Sequence, residues 1–179
     1  VDCLKQGIVL SGIFSVLVVS IFYPFAGNII RFMGAEPEIV DISTDYFRIL
    51  LLGLPIANIS HTISSAQRGV GETRASMHIN MTANIINIIF DIFLINGLWI
   101  FPRLEERGGA ISTVLGWSVG LLIGLKALSH KDQFLYMKGH GSWRLQKSTL
   151  KPLGQISVGS FFEQTFVRLG FMMNTKVIA

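Results

Sequence analysis

The fold is decided by residues 78–100, which read HINMTANIINIIFDIFLINGLWI and form an apolar run long enough to cross a membrane. Asp91 is the only formal charge in this run, and Asn80, Asn84 and Asn87 precede it at steps of four, three and four residues. At about 100° per residue these four side chains share one helix face and climb about 16 Å along it. Because polar groups in lipid are costly, this face is predicted to meet the protein interior or a water-filled cavity.

One carboxylate does not prevent this run from inserting into a bilayer. An Asp at the centre of a spanning helix costs about 2.5–3.5 kcal/mol, and each Ile, Leu or Phe contributes roughly 0.3–0.6 kcal/mol in favour of insertion. A dozen such apolar residues lie between Ile79 and Ile100. Together they outweigh the cost of Asp91.

The composition of the 179-residue chain indicates a membrane protein. Half of the residues are hydrophobic and only 15% are charged, whereas soluble domains carry about 25% charged residues. We therefore predict an all-α fold, a polytopic transmembrane helical bundle. The net charge of +4 lies mostly in connections on one predicted side of the membrane, which argues against a nucleic-acid partner. Cys3 is alone and predicts neither a disulfide nor a metal cluster.

Five membrane segments are predicted, at 7–32, 46–65, 75–100, 109–128 and from Gln155 onward. Each complete segment is close to the ~20 residues that a spanning helix needs. Pro24 is expected to kink or loosen the outer end of the first segment. Since the connections 67–75 and 129–152 are rich in Lys and Arg, the positive-inside rule places both of them in the cytoplasm.

Two smaller patterns predict local structure. The fourth segment carries small residues at every fourth position, and these are Gly108, Ser112, Gly116, Gly120 and Gly124. This small-residue ridge predicts close packing against a neighbouring helix rather than contact with a substrate. The sequence RGVGET, 68–73, superficially resembles a phosphate-binding loop but lacks the Lys and the preceding strand of such loops. It is interpreted as a tight turn.

Several motifs in order resemble the multidrug and toxic compound extrusion (MATE) transporters. They are FMGAEPEIVDISTDYFRI at 32–49, LPI at 54–56, QRGVGETRASMHINMTANIINIIFDIFLI at 67–95, RGGAISTVLG at 107–116 and GSFFEQTFVRLGFMMNTKVIA at 159–179. The resemblance implies twelve helices in two six-helix lobes. It assigns residues 1–128 to four helices of the first lobe, 129–154 to the cytoplasmic linker between lobes, and 155–179 to a truncated first helix of the second lobe. The chain is accordingly interpreted as a fragment covering helices three to seven.

The resemblance also names candidate site residues. Asp91 and Asn87 match the fifth-helix part of a cation- or proton-binding site, and Thr113 matches a sixth-helix threonine near it. Asn84 is expected to line the substrate cavity. A carboxylate in a low-dielectric site can take up and release a proton near neutral pH, and its oxygens also suit Na⁺. The alternative is a buried Asp91 that is neutralised by interhelical hydrogen bonds.

Glu163 is a further candidate for cation binding, because it matches a seventh-helix glutamate in one branch of the family. This sequence departs from many relatives, which have Gly-Pro before that residue, whereas here Gly159 is followed by Ser160. A straighter helix would shift the carboxylate. Arg168 could instead pair with Glu163 in a structural salt bridge.

These observations favour a secondary antiporter in the cell membrane. It would export amphipathic or cationic organic compounds in exchange for H⁺ or Na⁺, with no other cofactor. Its expected partners are the small-molecule substrate, the lipid bilayer and the remainder of the transporter chain. The alternatives are a flippase for lipids or lipid-linked saccharides, and a membrane structural subunit. Neither a nucleophilic triad nor zinc-ligand spacing is present in the sequence, so an enzyme is not expected.

Overall fold

The computed structural model describes residues 2–97, residues 104–129 and the single position 166, and these form helices without any strand. The helices are α1 (Asp2–Phe22), α2 (Ala26–Phe32), α3 (Val40–Gly69), α4 (Thr73–Asn96) and α5 (Glu105–Ser129). Among the described residues, α1, α3, α4 and α5 are long and apolar enough to span a membrane. The predicted all-α transmembrane class is confirmed.

Internal contacts divide the chain into two units, Val1–Gly141 and Ser142–Ala179. All five helices belong to the first unit. The predicted segment that begins at Gln155 falls in the second unit, and apart from Phe166 it lies outside the described residues. The predicted linker 129–154 also lies outside them, apart from Ser129 at the end of α5.

Pro24 divides the first predicted segment into two helices. We expected one helix over 7–32 with a loosened outer end, but α1 ends at Phe22 and the seven-residue α2 begins at Ala26. Proline has no N–H with which to continue the helical ladder, so the chain turns over residues 23–25. The position of the predicted disturbance is confirmed, but the helix is broken there rather than only kinked or loosened.

The other predicted segments need smaller corrections. α3 has 30 residues and extends beyond the predicted 46–65, with Pro55 inside it. α4 ends at Asn96, because Gly97 takes a left-handed conformation with φ of 66° and its N–H bonds the Phe93 carbonyl. Residues 98–100, which we predicted to continue this helix, lie outside the described residues. A turn is found within the predicted 68–73, but it is confined to 70–72, because α3 continues to Gly69 and α4 begins at Thr73. Gly71 has the positive φ expected of a tight turn, 88°, whereas Gly69 does not.

One apolar cluster defines an end of the helical bundle. Leu4 of α1, Ile63 of α3, Ile79 of α4 and Leu128 of α5 are buried together. They come from the start of α1 and α4 and from the end of α3 and α5, so successive spanning helices run antiparallel. The α3–α4 connection, which the positive-inside rule predicts to be cytoplasmic, lies at this same end.

The small-residue ridge of α5 is buried along its whole length, as its spacing predicted. A Cβ atom on Gly116 would lie 2.7 Å from the Ala83 carbonyl oxygen of α4, and one on Gly108 would lie 2.8 Å from the Leu94 carbonyl. These approaches leave no room for a larger side chain. Farther along, Gly124 faces Ile63 of α3 at 3.1 Å. The ridge therefore sets the distance at which α5 packs against α3 and α4.

Candidate cation site at the outer end of α4 and α5

The candidate site lies where the end of α4 faces the beginning of α5. The chain returns tightly here, since the Leu104 N–H bonds the Leu94 carbonyl at 3.0 Å. The close approach at Gly108 brings the two backbones together and places the polar face of α4 opposite the first turns of α5. This is the end of the bundle opposite the apolar cluster of Leu4 and Leu128, so it is the predicted outer end.

A continuous set of hydrogen bonds joins the two helices. The Ser112 hydroxyl contacts Asp91 Oδ1 directly. The Asn87 side-chain Nδ2 donates to Ser112 Oγ at 3.3 Å and to Thr113 Oγ1 at 3.2 Å. Asp91, Asn87, Ser112 and Thr113 thus form one cluster, which we call the Asp91 cluster.

The hydroxyl groups of this cluster have a choice of acceptor. Ser112 Oγ lies 2.9 Å from the Gly109 carbonyl oxygen, and Thr113 Oγ1 lies 2.8 Å from the same oxygen. A serine has a single hydroxyl proton, so Ser112 can donate either to the Asp91 carboxylate or to Gly109. Ser112 therefore links the Asp91 carboxylate to the backbone of the first turn of α5.

The same oxygens could hold a hard cation. A carboxylate, two hydroxyls and a backbone carbonyl are the ligand types that such ions prefer. Among residues 2–97 and 104–129, no group of three or more His, Cys, Asp or Glu side chains forms a site for a transition metal.

The Asp91 cluster opens into a cavity of about 660 Å³ between α2, α3, α4 and α5. Its walls are mostly apolar. The lining residues are Ile30, Met33, Ser43, Tyr46, Phe47, Asp91, Ile95, Glu106, Gly109 and Thr113. Two carboxylates, Asp91 and Glu106, and two aromatic rings therefore face a space that could hold a small organic molecule.

The structure brings together three of the five predicted site residues. Asn87, Asp91 and Thr113 belong to one hydrogen-bonded cluster. Asn84 is exposed on α4 and is not among the residues that line the cavity beside Asp91. Glu163 lies outside the described residues. Asn80, which belongs to the same predicted face of α4, lies nearer the opposite end of the bundle, where its amide donates to Ser64 at 3.0 Å.

Two residues of this site were not foreseen in the sequence. Ser112 was grouped with the glycines of the packing ridge, although it is the one member of that ridge with a hydrogen-bonding side chain. The presence of a hydroxyl among glycines was therefore the signal in the sequence that could have identified Ser112. Glu106 lies in the first turn of α5, and a charge at the end of a membrane segment normally indicates only contact with water.

The MatE family model matches residues 2–93, which is about half of the chain and covers α1 to most of α4. The chain belongs to the MatE family. Members of this family are transporters rather than enzymes. No solved structure matches the chain significantly.

Curated relatives of this MatE chain carry transporter names. A protein of Thermotoga maritima named "Probable multidrug resistance protein NorM" is 30% identical over 142 residues, which are 78% of this chain and 31% of the relative. A protein of the same name from Halalkalibacterium halodurans is 31% identical over 176 residues, or 95% of this chain and 38% of the relative. A "FAD transporter" of Shewanella oneidensis is 32% identical over 111 residues, 62% of this chain and 25% of the relative. The chain thus spans between a quarter and two fifths of their length.

Proposed function

We propose that this MatE chain is part of a secondary antiporter of the cell membrane that exports amphipathic or cationic organic compounds in exchange for H⁺ or Na⁺. The observation that carries the proposal is the position of Asp91. Its carboxylate is held by Ser112 of the facing helix and also lines the 660 Å³ cavity. The Asp91 carboxylate is therefore placed to bind the coupling ion and also to contact a substrate in the cavity.

Exchange follows from competition for this charge. An organic cation in the cavity is attracted to the ionised Asp91, and an incoming proton or Na⁺ removes that attraction by neutralising the same carboxylate. Tyr46 and Phe47 supply aromatic faces for an apolar cation. Because each ligand weakens the binding of the other, their alternating occupancy couples export to ion entry as the two lobes of the transporter rock about the cavity.

The charges of the cavity favour a cation over a phosphate-bearing substrate. One relative is named a FAD transporter, and a flippase would likewise handle lipid phosphates. The charged residues that line the cavity here are Asp91 and Glu106, both acidic. Two carboxylates in a largely apolar space repel a phosphate group, so the organic cation is the better fit.

The test is transport by the full-length protein with Asp91→Asn, reconstituted in proteoliposomes with an imposed H⁺ or Na⁺ gradient. Asparagine keeps the size of the side chain and removes its charge. We expect ion-driven export of an organic cation to be lost while insertion and yield stay normal. Asn84→Ala, on the exposed side of the same helix, is the matched control for general damage to α4. Wild-type transport rates with Asp91→Asn would refute the proposal.

A further inference from the structure

The turn between α3 and α4, at the predicted cytoplasmic end, carries a cluster of serines around one arginine. Arg68 Nη1 donates to Ser64 at 3.0 Å and to Ser76 at 2.7 Å, and Nη2 donates to Ser65 at 2.8 Å. Ser64 and Ser76 are buried and bond each other at 2.6 Å. Three hydroxyls therefore fix the guanidinium in one orientation against both helices.

This arrangement leaves two N–H donors of the guanidinium available. Arginine has five N–H donors, and the serines take three of them. The Nε hydrogen and the second Nη2 hydrogen lie on one edge, and such an edge matches two oxygens of a phosphate group. Arg68 is exposed, and within the described part of the chain no carboxylate forms an ion pair with it, including the neighbouring Glu72. Its positive charge is therefore open to an anion from outside this bundle.

A polar groove adjoins the arginine. It has a volume of about 470 Å³ between α1 and α3 and is lined by Ser11, Phe14, Asn58, His61, Thr62 and Ser65. Ser65 belongs to both the groove and the arginine cluster. It lies four residues from the end of α3 and Asn58 lies eleven, so the groove extends from about 6 Å to about 16 Å below that end.

The depth of the groove restricts what can fill it. Most polar side chains of the groove already have partners within α1 and α3, since Asn58 donates to Ser15 and Thr62 to the Asn58 carbonyl. His61 has no hydrogen bond within the described residues, so a polar occupant at this depth would give its ring a partner. On its α1 side the groove is bordered by an exposed apolar face that includes Leu10, Ile13, Phe14 and Leu17. The site thus offers a positive charge at the membrane surface, polar groups below it and an apolar wall beside them.

We propose that this groove binds one anionic phospholipid. Its phosphate contacts the free edge of Arg68, its ester oxygens lie beside the His61 ring, and an acyl chain follows the apolar face of α1. From the membrane surface inward, the site offers a positive charge, polar groups and an apolar face. A phospholipid of the nearby leaflet presents its phosphate, ester linkages and acyl chain in the same order. This lipid is a bound partner that holds α1 against the α3–α4 turn, separate from the exported substrate in the outer cavity.

The test measures lipid binding by the purified full-length protein with native mass spectrometry, comparing phosphatidylglycerol with phosphatidylcholine. Arg68→Gln should weaken retention of phosphatidylglycerol by about tenfold or more, because it removes the hydrogen bonds of a charged donor to the phosphate. Arg74→Gln is the matched control, because Arg74 is an exposed arginine at the start of α4 without serine partners. We expect it to change retention by less than about fivefold, which is the effect of general attraction to a membrane surface.

A second variant protects the test against loss of folding. Ser65→Leu leaves the contacts of Arg68 with Ser64 and Ser76 intact, adds an apolar side chain at an exposed position, and fills the mouth of the groove. It should reduce phosphatidylglycerol retention to the level of Arg68→Gln. Excess inorganic phosphate should leave the lipid bound, because the acyl chain also contributes to binding.

Four results would overturn the proposal. Equal retention of the two lipids would overturn the preference for an anionic lipid, since both carry the phosphate but only phosphatidylglycerol carries a net charge. Equal losses with Arg68→Gln and Arg74→Gln would indicate general surface attraction. Displacement by inorganic phosphate alone would assign the site to a free anion, and unchanged retention with Ser65→Leu would mean that another helix of the full-length protein covers the groove.

Discussion

At the scale of single residues, Ser112 decides how Asp91 responds to its ligand. Its hydroxyl contacts the carboxylate and also reaches the Gly109 carbonyl. Hydrogen bonds to charged groups contribute about 1.5–3 kcal/mol, so loss of this donor should be measurable. Ser112→Ala removes both this donor to the carboxylate and an oxygen ligand for Na⁺.

Ser112→Ala therefore tests whether the cluster binds Na⁺. If it does, half-maximal transport needs about tenfold more Na⁺, because the ion has lost an oxygen ligand. Proteoliposome transport as a function of Na⁺ concentration measures this directly. Ser118→Ala is the control, since that hydroxyl bonds only its own helix, at Val114. Unchanged ion dependence in Ser112→Ala would separate Ser112 from coupling.

Glu163 remains a sequence-based prediction and has its own test. Glu163→Gln should weaken coupling in the full-length protein, because a neutral amide cannot exchange a proton or balance the charge of a cation. A cation-site role predicts lost transport with nearly normal thermal stability. A structural pair with Arg168 predicts lost stability, with Arg168→Gln behaving alike and the double variant costing little more than either single one. Unchanged transport by a stable Glu163→Gln protein would confine the ion site to the first lobe.

At the scale of helices, the contact between α4 and α5 depends on glycine. Gly116→Leu places a side chain where even a Cβ atom would lie 2.7 Å from the Ala83 carbonyl. Overpacking of this kind costs typically about 1–3 kcal/mol, and here the obstacle is backbone that cannot rotate away. We expect lower yield and a lower melting temperature rather than altered selectivity among substrates. Gly12→Leu is the control, because no atom lies within 4 Å of a Cβ built there. Equal stability of the two variants would contradict the packing account.

The sequence predicted helices better than their ends. Hydropathy and length identified the spanning segments, since the cost of exposing polar backbone to lipid leaves few alternatives. The sequence did not predict that Pro24 would break its helix completely while Pro55 would leave α3 continuous. That difference depends on whether tertiary contacts hold the chain straight around the missing hydrogen bond, and a local pattern does not contain those contacts.

The candidate site was predictable where its residues share one helix. Asn87 and Asp91 lie one turn apart on α4, so periodicity alone placed them together. Asn84 belongs to the same face in the sequence pattern, but α5 covers the part of that face near Asn87 and leaves Asn84 exposed. Ser112 could not be assigned to the cluster, because its role depends on how α5 is rotated against α4. Relative rotation is set by the glycine contacts along the interface rather than by either sequence alone.

At the scale of the whole molecule, the two polar sites lie at opposite ends of the helices. The Asp91 cluster faces the turn into α5, whereas the arginine cluster lies at the α3–α4 turn. An antiparallel bundle places successive connections on alternate sides of the membrane. The orientation predicted from the basic connections therefore makes the first site an outer one and the second a cytoplasmic one.

Cysteine labelling of intact cells tests this orientation. In a Cys3→Ser background, which removes the exposed native thiol, Glu38→Cys should react with a membrane-impermeant maleimide added outside. Glu72→Cys should react only after the membrane is permeabilised, because it lies in the α3–α4 turn. Both positions are exposed, so differences in labelling report the side of the membrane rather than burial. Labelling of Glu72→Cys in intact cells, with Glu38→Cys protected, would show that the bundle has the inverted orientation. The Asp91 cavity would then lie at the cytoplasmic end of the bundle, and the arginine cluster would lie at the outer end.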